Sequence, residues 1–498
     1  MSAVGTARAE LARGGALSLV GSAFSALMGL VFTIVVSRSL GSGGAGVVLQ
    51  ATGVFAMVLA IGKLGLDSTA IFLVPRLRID DARRIRPSLV FMALLAATGG
   101  LLLAAVVAAV APYLWRGADS EVASAVRAVV VFVPLASLTL VATSALRALG
   151  GVREYVLVNN AVIPGLRPPL AVVAAVATGS SVVVAASWAL PWAVGLLACS
   201  AVLARRVAGL APGGGDRGLP HREERTRILT FAGPRTLSAG LEQALTWIDI
   251  VIVGWIAGAG AAGIYGGASR FLQAGLLVDA ALRVVVSPRF SELLHTGQKE
   301  RLRELHTTAT VWLVLFATPV LVLLASFAPV VLALLGPDFV AGGPVLVVLC
   351  AGAAVTFLAG NIHSLLLMGG RSGWAALNKG IVLTLNVAGN LLLVPRYGII
   401  AAAVVWAVSM LVDALLAAVQ VSLVLGVRPQ VWPALGALGT VLLSVGGPSA
   451  AAVLILGRTP LGLVCAGLTS LLVLGLSMWL LRRTLRLEGL GEVLQHRR

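Results

Sequence analysis

The stretch that decides the fold class runs from Ser88 to Ala111 and reads SLVFMALLAATGGLLLAAVVAAVA, without a charged residue. An uncharged apolar run of about 18 residues or more can cross a bilayer as a helix. The whole chain of 498 residues is 59% apolar and 11% charged, whereas soluble chains are roughly 45–50% apolar and about 25% charged. The composition excludes a soluble protein and predicts an all-α integral membrane protein.

Fourteen apolar blocks of this kind follow one another along the chain. At about 20 residues for one crossing, they take up well over half of its length and leave little room for a water-soluble domain. The predicted transmembrane helices cover residues 14–36, 46–74, 88–111, 125–149, 155–178, 181–204, 228–257, 262–287, 307–335, 341–368, 374–395, 399–426, 431–457 and 460–481.

Positive charges are distributed unequally between the two sides that alternate along these helices. Of the 37 Lys and Arg residues, 27 fall on the side of the N-terminus, five on the other side and five within the helices. Basic loops of membrane proteins stay in the cytoplasm, so both termini are predicted to be cytoplasmic. The same bias accounts for the net charge of +17 without a nucleic-acid partner. A content of 34 Arg against 3 Lys favours a GC-rich bacterial source and hence the bacterial cytoplasmic membrane.

The chain contains an internal repeat, which is visible in its glycine pattern. Gly41-x-Gly43-x-x-Gly46 follows the first apolar block, and Gly258-x-Gly260-x-x-Gly263 follows the seventh. Each motif leads into an apolar helix that ends in Pro-Arg, at Pro75-Arg76 and at Pro288-Arg289. Because two copies of an even number of helices share one orientation, we predict two pseudo-symmetric six-helix lobes followed by two C-terminal helices.

The repeat sets the predicted domain boundaries. These are an N-lobe at residues 1–204, a flexible cytoplasmic linker at 205–227, a C-lobe at 228–426, and the last two helices with a cytoplasmic tail at 427–498. The glycine pattern alone also matches a dinucleotide-binding fingerprint, but that fingerprint needs a preceding strand. Between membrane helices, tight turns and close helix packing explain the glycines better.

Ten ionisable residues fall inside the predicted helices. If all of them faced lipid near the midplane at roughly 3 kcal/mol each, the cost would be on the order of 30 kcal/mol, above a typical folding stability of roughly 5–15 kcal/mol. Most of them must therefore form ion pairs, lie near an interface or line a water-filled cavity. They are Lys63, Asp67, Arg167, Arg235, Glu242, Asp249, Arg270, Asp279, Arg283 and Asp413.

Spacing separates local ion pairs from cavity candidates. Lys63 with Asp67, and Asp279 with Arg283, are four residues apart, which favours local pairs on one helix face. Other charges recur every seven residues on one stripe of the seventh helix, beside a helix-bending proline at position 234, and we predict that this stripe lines a cavity. The stripe consists of Arg235, Glu242 and Asp249.

Four further polar positions stand out within the predicted helices. Arg270 has no acidic residue three or four positions away, so it meets either a carboxylate of another helix or an anionic substrate. Arg167 shares a face with Asn160 in a proline-rich helix and is the best cavity cation of the first half. Asp413 is a candidate carrier of a proton or cation.

Asparagines form a stripe in the predicted eleventh helix. Asn386 and Asn390 share one face with Asn378. Hydrogen bonds between helices are the simpler interpretation of this stripe, and lining of the cavity is the functional one.

Enzyme chemistry is poorly supported. The sequence contains no HExxH, GxSxG or phosphate-loop motif, and the longest predicted outward loop covers only residues 112–124. A saccharide polymerase or ligase would need a larger loop with catalytic groups. We therefore predict no catalytic residue, no cofactor and no identified metal site.

Five short motifs follow one another between residues 40 and 430. They are Leu40-Gly41-Ser42-Gly43-Gly44-Ala45-Gly46, Leu64-Gly65-Leu66-Asp67 running to Val74-Pro75-Arg76, Ala262-Gly263-Ile264-Tyr265, Leu335-Gly336-Pro337-Asp338-Phe339-Val340, and Leu385-Asn386 running through Asn390 to Pro395-Arg396-Tyr397-Gly398. Together with the fourteen predicted helices, these motifs resemble the multidrug/oligosaccharidyl-lipid/polysaccharide (MOP) flippase superfamily. Within it, they resemble the bacterial polysaccharide exporters of the O-antigen and teichoic-acid type.

The resemblance implies two lobes around a central cavity that opens alternately to the two sides of the membrane. Its implied substrate is a polyprenyl-diphosphate-linked saccharide, moved for the synthesis of cell-surface polysaccharide. Expected partners are membrane lipids and the glycosyltransferases or polymerase of the same pathway. Helices 431–457 and 460–481 carry no internal charge, which fits lipid-facing packing or, as the family suggests, a groove for the polyprenyl tail.

Under this interpretation, the intramembrane arginines hold the diphosphate, because guanidinium groups match phosphate oxygens. These are Arg167, Arg235 and Arg270. Coupling to Na⁺ or H⁺ would use Glu242, Asp249 or Asp413, and transport driven by the membrane potential alone is the alternative.

Three other functions remain open at this stage. A peptidoglycan-precursor flippase shares the fourteen helices. A multidrug cation antiporter of the same superfamily is expected to have a cavity dominated by acids, which the arginines oppose. A membrane scaffold would not need charged residues inside its helices.

Overall fold

The computed structural model describes residues 3–117, 120–210, 218–482 and 484–486. In these ranges the regular structure is helical and contains no strand, so the predicted all-α class is confirmed. In lipid, a helix satisfies the polar groups of its own backbone, which is why the apolar blocks fold in this way.

Contacts divide the chain into two compact units, Met1–Gly263 and Ile264–Arg498. The N-terminal unit contains α1 (Ala3–Gly62), α2 (Leu66–Asp80), α3 (Ile85–Leu114), α4 (Ser120–Val130), α5 (Val133–Ala148), α6 (Val152–Val156), α7 (Ile163–Thr178), α8 (Ser181–Ala189), α9 (Pro191–Leu210) and α10 (Arg222–Ala257). Helix α11 (Ala259–His295) begins in this unit and continues into the next.

The C-terminal unit continues with eight more helices among the described residues. They are α12 (Lys299–Ser326), α13 (Ala328–Leu332), α14 (Gly343–Thr356), α15 (Ile362–Met368), α16 (Ser372–Gln420), α17 (Trp432–Val441), α18 (Gly447–Leu456) and α19 (Pro460–Leu480). The division after Gly263 differs from the lobe boundaries suggested by the repeat, which stay a prediction. Both described ends of the predicted linker are helical, whereas residues 211–217 and the tail from 487 lie outside the described residues.

Ten helical segments of the described chain are long and apolar enough to span a membrane, or twelve if two bent helix pairs each form one span. Two of the ten segments, Leu17–Asp80 and Gly373–Leu425, have 64 and 53 residues, and about 20 residues suffice for one crossing. They are interrupted at Gly41 and Gly398, where the backbone is not helical. The chain is a multi-pass membrane protein, and the count of fourteen helices stays a prediction.

The glycine repeat of the sequence is also a repeat of backbone conformation. Gly41 has φ 68° and ψ −173°, and Gly258, its counterpart in the second copy, has φ 85° and ψ 165°. Glycine adopts such a positive φ without the steric cost of a side chain. Each motif therefore begins with a sharp break between two helices, as the turn interpretation predicts.

The last glycines of the two motif copies lie against each other within the N-terminal unit. A Cβ atom built on Gly46 would stand 1.7 Å from the carbonyl oxygen of Ala259, and one built on Gly263 would stand 2.0 Å from that of Ser42. These distances leave no room for a side chain. The predicted close helix packing is thus present, and it joins the beginning of α11 to α1.

Each unit has an apolar core of buried side chains from four helices. In the N-terminal unit, buried side chains of α2, α3, α5 and α10 pack together around Leu73, Met92 and Ile228. In the C-terminal unit, α11, α12, α15 and α16 pack around Phe290, Leu302 and Leu365. Both cores include the segment around the Pro-Arg step, so this step is held in place by packing.

Candidate substrate and coupling sites

The C-terminal unit contains a charged cavity of about 490 Å³. Its wall is formed by α11, α14, α15 and both halves of α16, which reverses direction at Gly398. Apolar side chains such as Leu276, Phe357 and Trp406 supply part of the lining. The polar lining consists of Gln273, Asp279, Arg283, Thr356, His363, Lys379 and Asp413.

Asp413 is the central group of this cavity. Its Oδ2 atom lies 2.5 Å from Nζ of Lys379 and 3.3 Å from Nε2 of His363. The Asp413 side chain is only 4% exposed, and its second oxygen has no hydrogen-bond partner among the described residues. A buried carboxylate is stable next to basic partners, and here two elements of the fold supply them.

A second ion pair lines the same cavity. Arg283 donates to Oδ2 of Asp279 at 2.5 Å, and Lys63 donates to Asp67 at 2.6 Å in the N-terminal unit. Both local ion pairs predicted from the four-residue spacing are therefore present. Asp279 and Arg283 of α11 also line the cavity, so this ion pair places a second carboxylate and a guanidinium on the cavity wall.

The cavity combines two carboxylates with an ammonium, a guanidinium and an imidazole. A phosphate group that contacts Arg283 or Lys379 would compete with the carboxylates for them. A proton or a small cation that binds Asp413 would weaken its attraction for Lys379. An anion and a cation that bind here would therefore each break the same ion pairs. Such a shared effect would allow the binding of one ion to influence the binding of the other.

Arg167 occupies an aromatic site in the N-terminal unit. Its guanidinium carbon lies 4.0 Å from the ring centroid of Trp188 and 5.9 Å from that of Trp192. Its Nε atom donates to the carbonyl oxygen of Trp188 at 3.3 Å, and Phe55 packs edge-on against Trp188 at 5.2 Å. A π-helical turn at Leu157–Val162 precedes this part of the predicted proline-rich helix. The contacts orient a half-buried cation on a large aromatic surface.

The predicted stripe on the seventh helix lies on α10, which continues through Pro234 as a helix. Asp249 is buried, whereas Arg235 and Glu242 are exposed. The guanidinium carbon of Arg235 lies 5.7 Å from the ring centroid of Phe231. The three charges therefore have different surroundings along one helix.

The remaining predicted residues lie in three separate places. Asn160 donates to the hydroxyl of Ser22 at 3.3 Å in the N-terminal unit. Arg270 is half-buried on α11, in the C-terminal unit. In α16, the amide nitrogen of Asn390 donates to the backbone oxygen of Asn386 at 2.9 Å, and both side chains are fully buried. Of the nine predicted site residues, Asp413 lines the charged cavity.

His363 and Lys379 were missed as site residues by the sequence analysis. Lys379 is one of the 27 basic residues counted on the side predicted to be cytoplasmic, and the spacing along the chain predicted no partner for His363. A usable signal existed, because Lys379 and Asp413 each lie within about 20 residues of Gly398 on consecutive helices. Two antiparallel helices of equal rise bring such positions to similar depth.

Comparison with known proteins identifies the family. The sequence pattern of the family described as "Polysaccharide biosynthesis protein" matches residues 11–294, more than half of the chain. The chain belongs to this family. No curated protein matches the chain.

Solved structures share the fold of this polysaccharide biosynthesis family member. A structure described as the lipid II flippase MurJ in an inward closed conformation has a TM-score of 0.71 at 12% identity and covers 94% of this chain and 99% of its own. An inward-facing multidrug resistance MATE transporter has a TM-score of 0.59 at 17% identity, covering 80% and 95%. A structure described as a MOP superfamily transporter from Pyrococcus furiosus has a TM-score of 0.53 at 16% identity. It covers 87% of this chain and 96% of its own. The predicted resemblance to the MOP superfamily is thus confirmed at the level of the fold, and the solved structures that share this fold are described as transporters and flippases.

Proposed function

We propose that this protein is a flippase that moves polyprenyl-diphosphate-linked saccharides across the bacterial cytoplasmic membrane for the synthesis of cell-surface polysaccharide. The observation that carries the proposal is the family match over residues 11–294 in a chain with the fold of a lipid II flippase. The transport cycle is alternating access between two six-helix lobes, at residues 1–204 and 228–426. Both termini are cytoplasmic, and the partners are glycosyltransferases or a polymerase of the same pathway.

The substrate's diphosphate is held by intramembrane arginines. Arg167 supports this role best, because it presents a guanidinium on the faces of Trp188 and Trp192. Such a site suits a group that carries phosphate oxygens next to a sugar, since the cation binds the oxygens and the indole faces cover the apolar side of the sugar ring. Arg235 and Arg270 serve the same diphosphate at other stages of transport.

The driving ion acts at the charged cavity of the C-terminal unit. Binding of H⁺ or Na⁺ at Asp413 releases Lys379 from its ion pair, and the freed ammonium attracts the anionic substrate. Glu242 and Asp249 on α10 are the alternative coupling acids. Asn386 and Asn390 stabilise α16, which carries both Lys379 and Asp413.

The decisive experiment is reconstitution into liposomes with a fluorescent polyprenyl-diphosphate saccharide, scoring its appearance in the outer leaflet with and without a Na⁺ or pH gradient. We expect transport by the wild type, and a loss of tenfold or more for Arg167→Ala and Arg270→Ala. Arg289→Gln is the matched control, because Arg289 is exposed and pairs with Glu292 on its own helix. Expulsion of organic cations without movement of the lipid would contradict the proposal and favour a multidrug antiporter.

A second candidate is a peptidoglycan-precursor flippase. The likeness to the lipid II flippase over 94% of the chain favours it. The same liposome assay with fluorescent lipid II separates the two candidates. Faster transport of lipid II than of polyprenyl-diphosphate saccharides that lack the peptide would select the second candidate.

A further inference from the structure

Two stacked phenylalanines join α2 to α10 in the N-terminal unit. The rings of Phe72 and Phe231 have centroids 4.2 Å apart and planes inclined by only 14°. They lie on the wall of an open groove of about 800 Å³, which is also lined by Arg222, Glu223, Thr226, Arg227 and Thr230. This groove is separate from Arg167 and its tryptophans.

Arginines surround the two rings. The guanidinium carbon of Arg76 lies 3.6 Å from the centroid of Phe72, and that of Arg227 lies 5.6 Å from the same centroid. The guanidinium carbon of Arg235 lies 5.7 Å from the centroid of Phe231. All three arginines are exposed. Two cations thus flank one ring, and a third flanks the ring stacked on it.

Helical spacing explains why these groups line one surface. Residues 227, 231 and 235 of α10 are four positions apart, as are residues 72 and 76 of α2, so each set lies on one helix face. The adjacent positions on both helices belong to the apolar core, in which Leu73 and Leu77 pack with Ile228 and Ala232. The arrangement is therefore held by packing and does not depend on a ligand.

Acidic side chains near the groove do not neutralise it. Glu224 turns away and forms an ion pair with Arg84 at 3.2 Å, which leaves Glu223 as the carboxylate of the lining. Among the described residues, no ion pair involves Arg76, Arg227 or the lining residue Arg222. Several positive charges in one groove repel one another, so the groove favours an anion with more than one negative charge.

The surroundings indicate which anion this is. Guanidinium groups bind phosphate oxygens through paired hydrogen bonds, and two such groups beside one ring match the two phosphates of a diphosphate. Large apolar side chains close to the groove residues of α2 in the chain are exposed, among them Ile71 and Ile79. Exposed apolar surface in a membrane protein faces lipid tails, so the anion is the headgroup of a lipid and its tail lies along these side chains.

We propose that this groove, formed by Phe72, Phe231 and the four arginines 76, 222, 227 and 235, binds the diphosphate of a prenyl lipid on the side predicted to be cytoplasmic. The inference rests on the proposed function, since it makes the groove the first docking site of the lipid-linked substrate, outside the transport cavity. The groove shares Arg235 with the arginines predicted for the cavity, whereas Arg76, Arg222 and Arg227 lie outside the predicted membrane helices.

Calorimetric titration of the purified full-length protein in detergent with farnesyl diphosphate tests the groove. We expect saturable binding that is at least tenfold weaker in the double variant Arg76→Gln, Arg227→Gln, a loss of about 1.4 kcal/mol. The double variant Arg76→Lys, Arg227→Lys keeps the positive charges but not the paired hydrogen bonds. We expect its affinity to lie between those of the wild type and the double glutamine variant. Arg289→Gln, at the Pro-Arg step of the second repeat, is the matched control and should bind like the wild type. Thermal unfolding of each variant reports whether it is folded.

Three results would overturn the inference. The first is unchanged binding in a folded double glutamine variant. The second is equal affinity for inorganic diphosphate, which would exclude recognition of a lipid. The third is equal affinity for phosphatidylglycerol, which would make the groove a site for bulk anionic phospholipid.

The liposome assay separates this inference from the proposed function. Binding that depends on Arg76 and Arg227 in a protein that moves no lipid-linked saccharide would contradict the function and leave the groove established. Transport by the double glutamine variant at the wild-type rate, at substrate concentrations below saturation, would contradict the groove and leave the function intact.

Discussion

Asp413 shows what a single residue of the sequence can and cannot predict. An acid in the middle of an apolar helix indicates a partner or a function, and the structure supplies two basic partners from other segments. The partners were not predictable from spacing along one helix, because they lie 34 and 50 positions away in the chain. Conversely, the pair of Asp279 and Arg283 was predicted, since its geometry is set by one helix.

Substitution Asp413→Asn is expected to lower the free energy of unfolding by about 1–3 kcal/mol, because it leaves Lys379 without its carboxylate. Removing one partner of a fully buried pair costs about 3–5 kcal/mol, and water reaches the lysine side chain, which is 30% exposed. Thermal unfolding in detergent measures the change. The double variant Lys379→Gln, Asp413→Asn should recover part of the loss; additive effects of the two substitutions would show that the pair contributes nothing.

Arg167→Lys is expected to reduce liposome transport severalfold, and Arg167→Ala more strongly. Lysine retains the positive charge, but it lacks the planar group that stacks on Trp188 and binds two phosphate oxygens together. The initial transport rate as a function of substrate concentration checks this. A lysine variant with unchanged transport would show that charge alone is needed at this position.

At the scale of helices and turns, the glycine motifs are the part of the sequence that best predicts where helices break and pack closely. The sequence predicted tight turns and close packing at the two glycine motifs, and both are present. It did not predict that the motifs contact each other, since Gly46 and Gly263 lie in different copies of the repeat. Hydrophobic periodicity finds helices, but it contains no information about which helices touch.

Substitution Gly263→Ala is expected to destabilise the protein by about 1–3 kcal/mol or more, the usual cost of overpacking. Its new methyl group would collide with the backbone oxygen of Ser42, which is unable to move as a flexible side chain would. Gly43→Ala is the matched control in the same kind of motif, because nothing lies within 4 Å of a Cβ atom at that position. Thermal unfolding compares the two variants, and equal unfolding temperatures would contradict the close contact.

At the scale of the whole molecule, composition alone predicted the all-α membrane class, and short motifs predicted the family. The number of crossings was harder, because apolar length does not show where a long helix is interrupted. The long apolar segments Leu17–Asp80 and Gly373–Leu425 are interrupted at Gly41 and Gly398, where the backbone leaves the helical conformation. The groove around Phe72 and Phe231 was also not predictable, since its two rings come from distant segments and neither carries a charge.

The predicted topology of fourteen crossings with cytoplasmic termini places Thr296 on the inner side and Arg458 on the outer side. Both residues are exposed, and the three native cysteines can be replaced by alanine. A cysteine introduced at position 458 of intact cells should react with a membrane-impermeant maleimide, whereas one at position 296 should react only after the membrane is opened. Labelling of both in intact cells would contradict the predicted topology.

The mutual contact of the two glycine motifs has a consequence for how this chain evolves. A duplicated segment normally frees each copy to drift, because one can change while the other preserves the original role. Here Gly46 packs on the segment that begins at Ala259, and Gly263 packs on the segment that begins at Ser42, so each copy is the other's immediate environment. A larger residue at this contact in one copy changes the space that is available to the other copy. Substitutions at the contact in the two halves of the gene are therefore expected to be correlated.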